Sequence, residues 1–313
     1  MKVIITAKHY SETEPLALLT EAGYEIENYS EQSLDDEALA SVLKNADAMI
    51  AGQDNLTRKL LEKCPELKLI SRRGIGYDKV DLQACKDLGI TVCTTRGTEE
   101  GAVAEQVMAY ILYFARRVDK QSADMHNGLW NRQLTFGAKG RTLGLIGLGG
   151  IGKEIAARAQ GFGMKVLYNC RHPRQEWETQ YDVSYTDLDT LLAESDYISV
   201  NLPLNSDTER MFNRELFSKM KKGSYFLNIA RGKIVDEYAL KEALESGHLA
   251  GAGIDVFPEE PCTDSPLRGL PNVILTPHSS VFTWETYIGG NCTAAQNVID
   301  YFNGTLSKNR IIV

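Results

Sequence analysis

The sequence contains no long apolar run. None of its stretches approaches the eighteen or so consecutive apolar residues that a membrane-spanning helix needs, so we expect no transmembrane segment. The N-terminal residues MKVIITAKHY hold an apolar run that is far too short for the h-region of a signal peptide. The sequence therefore predicts a cytoplasmic protein without a membrane partner.

Paired cysteines and an excess of positive charge are also missing. No two of the six cysteines form a CxxC motif, which argues against a zinc site and a disulfide framework. The net charge is -8, so we do not expect the basic surface that is typical of nucleic-acid-binding proteins. The composition therefore predicts neither a metal ion nor a nucleic-acid partner.

Short β-branched runs alternate with longer helical patterns along the chain. Predicted strands form a first series at 2–6, 24–29, 47–52, 67–71 and 90–94, and a second at 142–146, 164–168, 197–200, 224–228, 251–254 and 273–275. This alternation predicts an α/β protein with two doubly wound parallel-sheet domains and a hinge near 97–101. A helical pattern at 101–118 precedes a less regular stretch around Trp130. The pattern does not show where the last helical segment, about 286–302, packs.

A glycine-rich turn stands at the start of the second series. An apolar strand precedes it and an alanine-rich helix follows, which is the context that a dinucleotide-binding turn requires. The first glycine permits the tight turn, the second lets the backbone approach a pyrophosphate, and the third allows close packing of helix and strand. A turn that binds nothing is the alternative. We predict cofactor contacts from Gly147, Gly149, Gly150, Ile151 and Gly152.

The segment VLYNCRHPR, at 166–174, contains no acid. In an NAD-binding fold an aspartate or glutamate near Asn169 or Cys170 would hold the adenosine ribose. Arg171 and Arg174 suit the additional 2′-phosphate of NADP instead. We therefore predict that NADP(H) is preferred, with a solvated basic turn and bound NAD(H) as the alternative.

Three later strands are each followed by residues that can carry chemistry. Arg231 follows the strand at 224–228, and arginine can grip a carboxylate bidentately. Glu260 follows the strand at 251–254, and His278 follows the strand at 273–275. A histidine with a carboxylate partner can stay protonated near neutrality and act as the general acid that reduces a ketone. The alternatives are a surface salt bridge for the arginine and a structural role for the histidine.

Four motifs resemble the D-isomer-specific 2-hydroxyacid dehydrogenase family over essentially the whole chain. They are GLGGIG (147–152), NIARGKIVD (228–236), GIDVFPEEP (253–261) and TPH (276–278). The resemblance implies that Arg231 binds the substrate's carboxylate and carbonyl. It also implies that Glu260 polarises His278, which shuttles the proton. Further cofactor contacts implied by it come from Pro203, Ala230, Asp255 and Ser280, with Asp255 near the nicotinamide amide.

The segment RRGIGYDKVDL, at 72–82, resembles the substrate loop of the same family. The resemblance implies that Gly74, Ile75 and Gly76 bind the substrate, with the backbone N–H groups of Ile75 and Gly76 holding its carboxylate. Arg72 matches an arginine that contacts the substrate phosphate in 3-phosphoglycerate dehydrogenase.

The resemblance also has consequences for domains and assembly. It implies a discontinuous flavodoxin-like substrate domain, residues 1–98 and 286–313, around a Rossmann cofactor domain, residues 99–285. Family members are commonly homodimers, and the stretch around Trp130 resembles the part that wraps the partner.

Some residues depart from the family pattern. Gly150 replaces the usual arginine of GLGRIG, and the cofactor turn with Arg171 looks like that of glyoxylate/hydroxypyruvate reductases. Phe282 and Trp284 are bulky where the family has small residues; they either pack in a core or dimer interface or shape the substrate pocket.

The sequence thus predicts hydride transfer between NADP(H) and a small D-2-hydroxy acid or 2-keto acid. The substrate is of the 3-phosphoglycerate, glyoxylate or hydroxypyruvate type. A dinucleotide-sensing binding protein, such as a corepressor, is the alternative. Formate oxidation is disfavoured, because the related formate dehydrogenases use glutamine where this chain has Glu260.

Overall fold

The computed structural model of the protein describes residues 1–10 and 13–313. In these residues the strands are β1 (Lys2–Ile5), β2 (Glu25–Asn28), β3 (Ala48–Ala51), β4 (Leu69–Arg72), β5 (Thr91–Thr94), β6 (Thr142–Ile146), β7 (Lys165–Asn169), β8 (Ser184–Tyr185), β9 (Tyr197–Val200), β10 (Tyr225–Asn228), β11 (Gly251–Ile254) and β12 (Val273–Leu275). The helices are α1 (Thr13–Glu21), α2 (Asp36–Leu43), α3 (Arg58–Leu61), α4 (Leu82–Leu88), α5 (Glu100–Arg116), α6 (Val118–His126), α7 (Gly150–Gly161), α8 (Gln175–Tyr181), α9 (Leu188–Glu194), α10 (Arg214–Lys219), α11 (Glu237–Glu245) and α12 (Trp284–Phe302).

The chain divides into two compact units, each built on one sheet. The first unit comprises Met1–Glu99 and Phe282–Val313, and the second comprises Glu100–Val281. Their sheets have the strand orders β2-β1-β3-β4-β5 and β12-β11-β10-β9-β6-β7-β8. Neighbouring strands run parallel in both sheets. The predicted fold class, two doubly wound parallel sheets, is therefore confirmed.

Helix α12 packs on the sheet of the first unit. Its buried residues Ala294, Ala295 and Val298 share a core with Val3 and Ile5 of β1. The two alanines let the helix approach the sheet closely, and the strands are apolar on both faces because helices cover both. The sequence pattern alone left the place of this helix open.

The last residues of the chain cover the edge of the first sheet. Val92 donates its N–H to the carbonyl of Val313 at 2.8 Å, and Ile312 donates to the carbonyl of Val92 at 2.8 Å. Thr94 donates to the carbonyl of Arg310 at 3.0 Å. Since β5 is the last strand in the sheet order, these bonds pair backbone groups that an edge strand would otherwise expose.

Two elements of the second unit differ from the sequence prediction. The helical pattern at 101–118 ends at Arg116, because Arg117 adopts a left-handed φ of 46°. Helix α6 then occupies part of the stretch that we predicted to be less regular. None of its residues is buried, and its segment VDKQSADMH has too few apolar residues for a periodic pattern to be detected. Strand β8 has two residues and is too short to leave a pattern.

Within the part of the chain that the structure describes, no helix has the length and apolarity to cross a bilayer. The same residues contain no group of three or more metal-ligating side chains placed to hold a metal ion. No disulfide joins any of the described cysteines. Burial raises the pKa of the Cys93 thiol to about 12, so this cysteine is an inert part of the core.

Candidate active site

Three chemistry-bearing residues follow neighbouring strands of the second sheet. Arg231 comes after β10, Asp255 directly after β11, and His278 after β12. These strands lie side by side and run parallel, so their carboxyl ends meet at one edge of the sheet. Ligands of α/β sheets bind at this edge.

Asp255 anchors the turn that carries His278. Its side chain is fully buried, and its two carboxylate oxygens accept from the N–H groups of Ser279 at 2.9 Å and Ser280 at 3.0 Å. The hydroxyl of Thr276 donates to the same carboxylate. The Asp255 carbonyl accepts from the N–H of His278 at 2.8 Å, and His278 has a left-handed φ of 51°. The carboxylate thus holds a backbone conformation that a non-glycine residue rarely adopts.

Glu260 and His278 form a hydrogen-bonded pair. Nδ1 of His278 lies 2.7 Å from Oε2 of Glu260, and Oε1 of Glu260 accepts from the N–H of Phe257 at 2.9 Å. Burial raises the pKa of Glu260, but the hydrogen bonds from His278 and Phe257 outweigh it, with smaller help from the charge of Arg231. The net effect is a pKa below the ordinary value, so Glu260 is a carboxylate that can accept the Nδ1 proton.

Arg231 is positioned by the end of β10 and by one close backbone contact. The Asn228 side chain accepts from the N–H of Ala230 at 3.1 Å and donates to the carbonyl of Arg231 at 3.0 Å. The guanidinium donates to the carbonyl of Ala230 at 2.7 Å. Gly232 follows, and a Cβ there would lie 1.9 Å from the carbonyl carbon of Phe257. Sequence reasoning missed Asn228, although its place at the strand end beside the arginine was visible.

The glycine turn leaves a cradle that a dinucleotide fits. Gly147 has φ of 99°, and a Cβ on it would lie 2.7 Å from the carbonyl oxygen of Asn201. A Cβ on Gly152 would lie 2.5 Å from the carbonyl oxygen of Gly147. A Cβ on Gly149 would meet nothing within 4 Å, so the space at the N-terminus of α7 is open. The unpaired N–H groups there suit a pyrophosphate.

A close contact with a neighbouring side chain explains why position 150 is a glycine. A Cβ at this position would lie 2.9 Å from Cγ of Glu100, which is itself buried. An arginine here would therefore require Glu100 to move. Ile151, the next residue, packs against the core of the unit.

The end of β7 carries no carboxylate. The backbone carbonyl of Asn169 accepts from the N–H of Gly147 at 2.9 Å, and its side-chain amide donates to the carbonyl of Thr186 at 2.9 Å. Cys170 is half-buried and packs against the core. Arg171 is exposed. Neither Asn169 nor Cys170 carries a negative charge that would repel a phosphate on the ribose.

Lys153 and Arg174 flank one aromatic ring, an arrangement that sequence reasoning missed. The Lys153 Nζ lies 4.0 Å from the ring centroid of Trp177, and the Arg174 guanidinium carbon lies 5.0 Å from it. Burial, then repulsion from Arg174, lowers the pKa of Lys153. Glu176 lies 3.6 Å from Arg174 at an exposed position. Lys153 directly follows the glycine motif, but only the fold brings it to Trp177.

The remaining predicted cofactor contacts sit on the same unit. Pro203 lies exposed in the loop after β9, and its carbonyl accepts from the Thr208 hydroxyl at 2.7 Å. Ala230 is buried directly before Arg231 in the chain, and Ser280 is buried with its N–H donated to the Asp255 carboxylate at 3.0 Å.

The predicted substrate loop lies in the first unit, after β4. Arg72 is buried, and its guanidinium donates to the carbonyl of Arg73 and, at 3.4 Å, to the carbonyl of Ala51. Gly74 has φ of 129° and donates its N–H to the Thr95 hydroxyl at 2.9 Å. Ile75 and Gly76 are half-buried.

Phe282 and Trp284 are exposed by 57% and 78% in the first unit. The interpretation that they pack in the core of the chain is therefore wrong. The rings of Phe282 and Tyr287 lie 5.8 Å apart.

Comparison with known proteins gives consistent matches. The family model described as "D-isomer specific 2-hydroxyacid dehydrogenase, NAD binding domain" matches residues 108–280. The chain is 38% identical over 293 residues to glyoxylate/hydroxypyruvate reductase B of Escherichia coli (strain SMS-3-5 / SECEC), which covers 91% of this chain and 90% of the relative. A solved acyclic imino acid reductase (Bsp5) in complex with NADPH and D-Arg superimposes with a TM-score of 0.92 at 28% identity, over all of both chains. D-lactate dehydrogenase from Aquifex aeolicus, complexed with NAD and lactic acid, gives 0.87 at 30% identity, over 100% of this chain and 99% of that one.

Proposed function

Because the chain belongs to the D-isomer specific 2-hydroxyacid dehydrogenase family, we propose that it reduces small 2-keto acids with NADPH. The observation that carries the proposal is the 2.7 Å contact between His278 Nδ1 and Glu260 Oε2. Arg231 is close enough for its charge to lower the pKa of Glu260. A carboxylate-bound histidine beside an arginine suits a reaction that adds a proton to the carbonyl oxygen of an anionic substrate.

The roles of the side chains follow from their contacts. Bound NADPH supplies the hydride for the keto carbon. His278 holds one proton at Nδ1 against Glu260, so Nε2 is the atom that gives its proton to the carbonyl oxygen. Arg231 binds the carboxylate of the substrate and stabilises the charge that develops on that oxygen. Asp255 keeps His278 in place through the turn between them.

The substrate class that we favour is a keto acid without a distal phosphate, such as glyoxylate or hydroxypyruvate. The guanidinium of Arg72, the candidate for a phosphate contact, donates to the carbonyl of Arg73 in the loop and to the carbonyl of Ala51 at the end of β3. Its role is then to shape the loop that binds the carboxylate. The name of the relative at 38% identity supports the same class.

The preference for NADPH rests on the cations near the end of β7. Asn169 supplies no negative charge there, while Arg174 and Lys153 lie on one ring, Trp177. Burial and the charge of Arg174 lower the pKa of Lys153. A dianionic phosphate nearby would stabilise the positive charges of both residues. We include Lys153 with Arg171 and Arg174 in the proposed 2′-phosphate site.

We expect NADPH to give a higher kcat/KM than NADH in a direct assay. Absorbance loss is followed with glyoxylate, hydroxypyruvate, pyruvate and 3-phosphohydroxypyruvate. Replacing Arg171 and Arg174 together by alanine is expected to lower kcat/KM for NADPH by about 100-fold, since each charged hydrogen bond contributes about 1.5–3 kcal/mol. The value for NADH should stay within a few-fold.

The matched control for the cofactor assay is Arg214→Ala. Arg214 is an exposed arginine of the same unit that pairs with Glu242, so neither cofactor should be affected. A wild-type kcat/KM that is higher for NADH would contradict the NADPH proposal but leave the reductase intact. Cofactor binding without turnover of any keto acid would favour the dinucleotide sensor.

We also propose that the protein is a homodimer, joined through α6 and the segment after it. Exposed apolar side chains concentrate there, and Leu134 is fully exposed. They are Met125, Leu129, Trp130, Leu134 and Phe136. A cluster of exposed apolar side chains of this kind marks an interaction site. A homodimer with two-fold symmetry is the commonest assembly that would bury such a surface. A cytoplasmic location remains a prediction from the sequence.

Light scattering coupled to size exclusion is expected to give twice the mass of one chain. The double variant Trp130→Glu with Leu134→Glu should give a monomer, because it places charges in the proposed interface. Tyr238→Glu is the control, since Tyr238 is an exposed aromatic residue on α11, outside the segment. A wild-type monomer at micromolar concentration would contradict the dimer.

A further inference from the structure

A buried arginine stands at the start of the substrate loop. The side chain of Arg73 is 10% exposed, and that of Glu99 is 5% exposed. Their closest charged atoms, Nη1 and Oε1, are 3.8 Å apart, which is longer than a hydrogen bond. Nε of Arg73 donates to the Asn291 side chain at 3.2 Å, and the guanidinium carbon lies 4.7 Å from the ring centroid of Tyr287.

This arrangement is not what stability alone favours. A buried ion pair repays its desolvation only when geometry and hydrogen bonding are good. Here the pair is long, and Nη2 of Arg73 is buried without a hydrogen-bond partner in the described residues. A methionine of similar length would fill the space beside α12 without either cost. Stability therefore does not explain why a charged side chain, Arg73, occupies this position.

The pair connects the loop to the segment that leaves the first unit. Oε1 of Glu99 accepts from the Thr95 hydroxyl at 3.2 Å, and the same hydroxyl accepts from the N–H of Gly74 at 2.9 Å. The N–H of Arg73 donates to the carbonyl of Ala51 at 3.0 Å. The backbone N–H groups of Arg73 and of the residue after it are both fixed in this way. Glu99 is the last residue of this part of the unit.

We propose that Arg73 and Glu99 are a positioning pair, which holds the loop Gly74–Gly76 so that the N–H groups of Ile75 and Gly76 meet the substrate carboxylate. The inference rests on the proposed function, in which that loop binds the carboxylate of the substrate. Arg73 draws Glu99 towards the loop, Glu99 holds Thr95, and Thr95 holds the N–H of Gly74. Neither member of the pair touches the substrate.

The test measures carboxylate binding separately from turnover. The probe is oxamate, a non-reducible analogue of a small keto acid, titrated into the protein–NADPH complex. Arg73→Met is expected to weaken oxamate binding and to raise the KM of the keto acid by about 10- to 100-fold, because a misplaced binding group loses affinity steeply. The Kd of NADPH and the kcat at saturation should stay within about threefold.

Three further variants sharpen the test. Glu99→Gln is expected to weaken oxamate in the same direction, and the double variant should be no worse than Arg73→Met alone, since the two residues act as a unit. Arg73→Lys keeps the charge and should recover part of the affinity. Arg58→Met removes an exposed arginine of the same unit that pairs with Asp87, and it should change nothing.

The outcomes separate this proposal from the proposed function. Oxamate binding within twofold of wild type in both Arg73→Met and Glu99→Gln overturns the positioning role. The role is also overturned if the variants lose affinity for NADPH as much as for oxamate and unfold at a lower temperature. Such losses indicate damage to the whole fold. If Arg73→Met does not fold, Glu99→Gln and Arg73→Lys decide. A wild-type protein that binds oxamate but reduces no keto acid defeats the proposed function, while the oxamate comparison still tests the pair.

Discussion

The variant His278→Ala is expected to lose about three orders of magnitude in kcat for keto-acid reduction. General acid catalysis contributes about 10²- to 10⁴-fold, and the 2.7 Å contact with Glu260 is what prepares His278 for it. KM and the Kd of NADPH should change little, because the proton is transferred only in the transition state. The measurement is steady-state kinetics at saturating NADPH, with binding followed by fluorescence.

A second histidine of the same unit provides the control. The ring of His248 lies 3.0 Å from the carbonyl oxygen of Phe217, so His248→Ala should cost some stability and leave kcat unchanged. An His278→Ala variant that keeps wild-type kcat would remove His278 from the chemistry.

Glu260→Gln separates the charge from the hydrogen bond. Glutamine keeps an acceptor for Nδ1 of His278 but removes the negative charge, so kcat should fall, which steady-state kinetics measures. The charge of Glu260 also affects stability. The pKa of Glu260 lies below its ordinary value of 4.5, so its contribution to stability is full above that pH and is lost as pH falls through the lowered pKa.

Gly232→Ala is expected to damage both stability and catalysis. The new Cβ would lie 1.9 Å from the carbonyl carbon of Phe257 and 2.3 Å from the nitrogen of Pro258. Both atoms are backbone, so the loop itself must move, at a cost of about 1–3 kcal/mol or more. Phe257 donates to Glu260, so the movement should also lower kcat by about 100-fold. Thermal unfolding and steady-state kinetics check the two effects.

Gly161→Ala is the matched control for that substitution. Gly161 ends α7, and a Cβ there would meet nothing within 4 Å. The change should be neutral or stabilise by up to about 1 kcal/mol, because alanine favours the helix. If Gly232→Ala unfolds at the same temperature as wild type and keeps its kcat, the close approach of the two loops does not constrain the site.

The sequence was most informative where one residue type has one physical use. Gly147 and Gly152 predict a tight turn that the structure contains, because a Cβ at either position would lie too close to a backbone oxygen. Gly149 leaves the space beside that turn open. The strand ends placed Arg231 and His278 at the same edge of one sheet, since parallel strands share their polarity. These inferences need only local pattern and the rule of parallel sheets.

The sequence was least informative where distant segments meet. Lys153 and Trp177 are 24 positions apart, so no local pattern joins them. Arg73 and Glu99 are both charged and would ordinarily be expected at the surface, yet they are buried. No residue of α6 is buried in its own chain, and its few apolar residues form no periodic pattern. In each case the missing information is tertiary packing, which a single sequence expresses only weakly.

The packing of α12 on the first sheet also sets an order of events during synthesis. Tyr10 donates its hydroxyl proton to the carbonyl of Asn291 at 2.7 Å, a contact across 281 positions of the chain. The second unit is continuous, Glu100–Val281, and can complete its core while the ribosome is still adding residues. The first unit, which begins earlier, waits for α12 and for residues 310–313. Its unfinished sheet is therefore the part of the nascent chain most in need of protection from aggregation.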